Sequence, residues 1–202
     1  MLRFVFVEHF REALQAFLLF MIGLMLAWPV VRYRLRFVAW PARVIMRAVF
    51  RLMGASPGIA RVAGVIFGYN GLAVFLYMAS GWHPIFPKIF AFWTGLNIGV
   101  LMGTMRREGD MGRSLEPSPE QWKPPPRLSA VCGLVVLLLE LPCFWFAIGM
   151  GIQMGHAVQA GDAGYLAALT ERATAYATVI LPLLLASAIS EAIAIRGSAH
   201  PR

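Results

Sequence analysis

The residue best placed to do chemistry is Glu140, because LVVLLL precedes it and LPCFWF follows it. A carboxyl group at that depth in hydrocarbon is costly and is by default a candidate functional group. It could relay protons or bind a cation. Alternatively it stays a neutral carboxyl that hydrogen-bonds a neighbouring helix or the backbone freed by Pro142. Glu191, in LLLASAISEAIAIRG, lies about one turn before Arg196 and is expected to pair with an arginine or accept a helix–helix hydrogen bond. Asn70 and Asn97 fall inside two neighbouring apolar runs. Asparagines there bond across helices, each contributing about 0.6–2 kcal/mol, or line a polar path.

A second constellation is structural. Gly95, Gly99 and Gly103 recur at four-residue spacing, so they share one helix face and allow close approach of a second helix. Gly64 with Gly68, and Gly151 with Gly155, repeat the device. The pattern does not say whether the partner helix belongs to this chain or to another protein.

The remaining chemistry is sparse. His9, His83, His156 and His200 show no HxxxH spacing. Cys132 and Cys143 lie eleven residues apart in one apolar run, about 16 Å along a helix, too far for a mutual disulfide. No GxSxG, phosphate loop, CxxC or HExxH is present. No enzyme activity, metal or cofactor is expected.

These residues are carried by long apolar runs. Of the 202 residues, 59% are hydrophobic and 14% charged, against about 25% charged in a soluble domain. Mean hydropathy is +0.67. So much apolar surface cannot fit one soluble core, and a bilayer is its natural solvent. The fold class is all-α: a polytopic membrane protein with about five transmembrane helices and an arginine-rich interfacial helix. The runs are 13–31, 62–80, 85–105, 128–156 and about 175–195, with a loop expected at 157–174. Pro142 is the expected kink point of the fourth run, and Pro182 lies in the fifth.

The segment 32–61 is the basic one. Arg36, Arg43, Arg47 and Arg51 argue against a span, since each costs roughly 2.5–3.5 kcal/mol at a helix centre while each Leu or Ile returns only about 0.3–0.6. Arg43, Arg47 and Arg51 share one helical face, with Val44, Ile45, Val49, Phe50 and Leu52 around much of the rest. That pattern suits a helix lying in the interface, broken or started at Pro41. The net charge of +8 then reads as affinity for anionic lipid head groups or acidic partner loops, not nucleic acid.

Four regions follow: 1–61, the first span and basic helix; 62–105, a transmembrane hairpin; 106–127, a proline-rich cytoplasmic linker; and 128–202, the last two spans. Placing 32–61 inside puts fourteen of the eighteen basic residues inside and leaves Arg3, Arg11, Lys88 and Arg172 outside. The positive-inside rule therefore predicts an N-terminus outside and a C-terminus inside the cytoplasmic membrane.

Three segments together resemble the stage II sporulation protein M family of bacterial and archaeal membrane proteins. IFGYNGLAVFLYMASG with TGLNIGVLMG looks like that family's Asn-and-Gly helix and its following polar-Gly-x-x-x-Gly element. LLLELPCFWFAIGMGIQMG resembles its Glu-Leu-Pro/Ala helix, and ILPLLLASAISEAIAIRG its last helix with Ala-x-x-x-Glu-Ala. The resemblance spans roughly residues 62–196 without the linker. It implies that Asn70, Glu140 and Glu191 are the family's polar positions. Where the family has Pro-His-Gly before the helical glutamate, this chain has Val135, Val136 and Leu137, so no role of that histidine transfers. The namesake acts in spore formation within a membrane complex containing peptidoglycan-degrading partners. The resemblance implies a membrane scaffold or complex subunit that assembles with other integral membrane proteins, rather than sporulation itself. A permease-like transport component, with Glu140, Asn70 and Asn97 on its path, is the rival expectation.

Overall fold

The computed structural model describes residues 3–54, 58–112 and 126–198. These form helices with no strand among them. A π-helical turn, Phe4–Glu8, leads into α1, Phe10–Arg32. The chain continues as α2, Arg36–Met53; α3, Ile59–Ala79; α4, Ile85–Gly112; and α5, Pro126–Ala160. It ends as α6, Tyr165–Ala175, a π-helical segment, Tyr176–Ile180, and α7, Leu181–Ser198. Five stretches are long and apolar enough to cross a membrane: 10–32, 59–79, 85–104, 134–160 and 165–195. The chain is thus an all-α polytopic membrane protein.

Its outward faces support the same reading. Leu18, Met25, Leu72, Leu76, Leu138 and Ile189 all lie exposed on these stretches. A soluble protein of this size does not expose such a continuous apolar belt, whereas lipid requires one.

Helix α1 packs along α4 through small residues. Its buried positions, Ala16, Phe20, Gly23, Ala27 and Val30, alternate steps of four and three, the spacing of helices packed close to parallel or antiparallel. A side chain at Gly23 would collide with the Phe92 carbonyl, and one at Gly95 with the Phe20 carbonyl. The two backbones therefore touch from both sides.

Helix α5 is the hub and contacts every other spanning helix. Ile148, Met150, Ile152 and Met154 on it are fully buried. Its glycines serve as sockets: Gly149 faces the Ala13 backbone, Gly151 the Met78 carbonyl and Gly155 the Pro84 backbone.

Several local expectations are corrected. Helix α2 starts at Arg36 and runs through Pro41. The turn before it is made at Arg34, which adopts φ +55°, and the Leu35 amide closes it on the Val30 carbonyl at 3.0 Å. Proline 41 is no break because it forfeits a single helical bond, to the Phe37 carbonyl, near the helix start. Helix α5 runs through Pro142, the expected kink point, as one continuous helix. The loop expected at 157–174 shrinks to residues 161–164, with Gly161 at φ +78° terminating α5. Tyr165–Ala175 is helical and merges into the fifth span. The π-helical segment lies just ahead of Pro182, whose ring would crowd the Thr178 carbonyl in a regular α-helix. Of the proline-rich linker, 106–112 prolongs α4 as helix, Pro126 and Arg127 open α5, and 113–125 lies outside the described residues.

Candidate functional site: an acidic seam in the membrane and a buried arginine

Helices α5 and α7 pack together along much of their length. On α7 the buried stripe runs Leu184, Ser187, Ala188 and Ala192, so Ser187 is the polar member of an otherwise apolar seam. On α5 the half-buried Glu140 faces it: the Ser187 hydroxyl donates to Glu140 Oε2 at 3.4 Å. Glu191 stands one turn beyond Ser187 and lies within electrostatic reach of Glu140. The structure thus brings together the two glutamates singled out from the sequence and adds a hydroxyl that the sequence reading passed over. Two carboxyl groups and a hydroxyl in an apolar seam can share a proton, hold a cation, or tie two helices together. Glu191 was expected to pair with an arginine or accept a helix–helix hydrogen bond; the arginine nearest in sequence, Arg196, has its side chain outside the described residues.

The asparagines do not join this seam. Asn97 Nδ2 donates back to the Trp93 carbonyl of its own helix at 2.9 Å. Asn70 is half-buried on α3 with no hydrogen bond among the described residues. The α3–α4 cross-link expected of them is made instead by Thr94, whose hydroxyl donates to the Tyr77 oxygen at 3.1 Å.

The glycine stripe of α4 is occupied from within the chain. Besides Gly95 against Phe20, a side chain at Gly99 would come 2.5 Å from the Ala27 methyl, and one at Gly103 2.9 Å from Val31. All three sockets receive α1. By contrast Gly64 and Gly68 meet nothing within 4 Å.

A second polar centre was not anticipated. Arg172, placed by the sequence in an outer loop, is buried, with 7% of its surface exposed. Its Nε donates to the Met150 carbonyl at 3.2 Å, and Nη1 to the Ala168 carbonyl at 3.1 Å. Nη2 donates to Gln153 Oε1 at 3.3 Å, while Glu171 pairs with Nη1 at 3.4 Å. Two carbonyls, an amide and a carboxylate therefore satisfy a cation that burial alone would penalise. A signal was available: Ala168, Arg172, Ala175 and Val179 continue the three-and-four spacing of the final helix back into the supposed loop.

His9 sits nearby, fully buried, its Nδ1–H donating to the Phe4 carbonyl at 2.7 Å while Nε2 has no partner. Burial holds this imidazole below its ordinary value and outweighs the opposing hydrogen bond to the Phe4 carbonyl; the Arg172 cation lowers it further, against the smaller pull of Glu12 and Glu8. His9 is therefore neutral at neutral pH.

Of the remaining candidates, Arg43, Arg47 and Arg51 are exposed along α2, and the side chain of Arg36 lies outside the described residues. Among the described residues no three His, Cys, Asp or Glu side chains converge as a metal site would require. Comparison with protein-family models, with curated proteins and with solved structures gives no match.

Proposed function

We propose that this membrane protein is a scaffold or accessory subunit that assembles with other integral membrane proteins in the cytoplasmic membrane. The observation that carries the reading is how the intramembrane polar groups are used. Asn97 is consumed by its own helix, Thr94 and Tyr77 join α3 to α4, and Arg172 is tied to α5. These contacts are dispersed and self-satisfying, as in a protein whose polar residues hold helices in place. A transport path would instead align them along one hydrated cavity. The likeness to the sporulation protein M family leans the same way. The positive-inside count favours residues 32–61 on the cytoplasmic side and the N-terminus outside.

One observation favours the rival, a permease-like component: Glu140, Ser187 and Glu191 do converge in one seam. Reconstitution decides between the two. The purified protein in liposomes, tested for proton and cation flux with pH- and potential-sensitive dyes, is expected to show none above empty liposomes, and Glu140→Gln is expected to leave assembly intact. Flux from the protein alone that disappears in Glu140→Gln would replace scaffold by transport.

A further inference from the structure

Helix α2 is seated against the rest of the protein unevenly. Its early residues Val38 and Ala39 join a core formed by α1 and α4. Its later turns stand off from α3 and leave a groove of about 510 Å³. The walls are two facing stripes of the same period: Val44, Ala48 and Leu52 on α2, and Gly64, Gly68 and Leu72 on α3. Each stripe covers eight residue steps, about 12 Å of helix. The only side-chain polar atom in the lining is the Tyr69 hydroxyl. Gly64 and Gly68 have open space where a side chain would stand, so the floor of the groove is bare helix. This sets it apart from the α4 glycines, which are filled by α1.

Ile45 and Val49 complete the wall on α2, and the outer face of that helix, one step of about 100° round from Val44, Ala48 and Leu52, carries the opposite chemistry. Arg43, Arg47 and Arg51 run exposed along α2, each next in sequence to one of the lining residues Val44, Ala48 and Leu52. Where α2 meets α3, Arg61 Nε donates to the Leu52 carbonyl at 3.0 Å, placing a fourth guanidinium at that end. An apolar slot with Arg61 at one end and a row of guanidinium groups on the adjoining outer face of α2 matches a molecule with one long hydrocarbon chain and an anionic head. We infer that the groove between α2 and α3 is a specific site for one anionic phospholipid, an acyl chain lying over Gly64 and Gly68 and the phosphate meeting Arg43, Arg47 and Arg51. The volume lies within the range of about 300–1,000 Å³ typical of small-ligand sites. A spanning helix, about 10–12 Å across and ~30 Å long, would only lean on such a slot, whereas an acyl chain fills it. Charge complementarity makes the same choice, since an apolar transmembrane helix brings no anion to the arginines and an anionic phospholipid brings its phosphate. The inference rests on the membrane reading alone and stands whether the protein is a scaffold or a transporter.

The test is native mass spectrometry of the full-length protein in mild detergent, offered equal dioleoyl-phosphatidylglycerol and dioleoyl-phosphatidylcholine. One phosphatidylglycerol per chain is expected to survive, preferred at least tenfold, since each basic residue near an anionic surface contributes roughly fivefold. Replacing Arg43, Arg47 and Arg51 together by Gln is expected to bring the preference near parity. Gly68→Leu, which fills the groove from α3, is expected to remove the bound lipid without lowering the melting temperature. Val44→Trp, filling it from α2, carries the same expectation should Gly68→Leu disturb folding. Millimolar glycerol phosphate is expected not to displace the lipid, because it lacks the chain. Equal retention of the two lipids by the unaltered protein would overturn the inference. So would phosphatidylglycerol held unchanged by both groove-filling variants, displacement by glycerol phosphate, or a second polypeptide cross-linked through a cysteine placed at position 68.

Discussion

The sharpest energetic contrast in the structure is between glycines that share a spacing and differ in surroundings. Gly95 on α4 lies with its backbone against the Phe20 carbonyl of α1, so the methyl of Gly95→Ala collides with backbone that cannot rotate away. Relief requires α1 and α4 to separate along a seam that also includes Gly23, Gly99 and Gly103. Overpacking of a well-packed interior costs about 1–3 kcal/mol, and a backbone obstacle puts this case toward the upper end. At Gly68 the same methyl enters open space, and the helix gains up to about 1 kcal/mol in propensity. The two alanine variants should therefore differ by about 2–4 kcal/mol. At roughly 2–4 °C per kcal/mol for a chain of this size, thermal unfolding in detergent, followed by helical circular dichroism, should separate them by about 4–16 °C, with Gly95→Ala lower. Equal melting temperatures would refute the internal seating of α1 on α4. Loss of a larger assembly in Gly95→Ala, with the isolated protein as stable as before, would show that the stripe faces another protein.

Three further outcomes are expected. His9 is held neutral by burial beside Arg172, so below about pH 6.5 the unfolded chain takes up a proton that the folded one resists. Stability should fall as pH drops from 7.5 to 5.5, and His9→Gln should flatten that dependence; an identical pH profile in the variant would remove His9 as its source. Arg172→Met leaves Gln153 and the Met150 carbonyl without their donor and should lower stability by about 1–3 kcal/mol, whereas a surface arginine would register within about 0.5. A single cysteine at position 113, in a background lacking Cys132 and Cys143, should resist labelling from outside intact cells; labelling there would reverse the orientation.

What was legible in the sequence was whatever lipid dictates. Unbroken apolar runs set the number of spans, because backbone polar groups in hydrocarbon leave a helix few alternatives. Arg43, Arg47 and Arg51 likewise kept α2 from being taken for a span. Pro41 was over-read: it removes one helical bond near the start of α2, so it neither starts nor ends that helix. The polar segment before residue 175 was under-read for a related reason. Glu171 and Arg172 suggest a loop when counted as charges, but Arg172 is neutralised by carbonyls and Gln153 brought in by α5, information that no local window holds. The acidic seam was half visible. Glu140 and Glu191 stand out by their apolar flanks, while Ser187 is an ordinary residue until α5 and α7 pack.

The role proposed for the protein is that of one part of a membrane assembly. Extraction from native membranes into polymer-bounded lipid discs, followed by mass measurement of the intact particle, tests it most directly. A particle containing this chain and at least one other integral membrane protein at fixed stoichiometry is expected, with the Gly68→Ala variant behaving alike. A homogeneous particle containing this 22.3 kDa chain and lipid alone would contradict it.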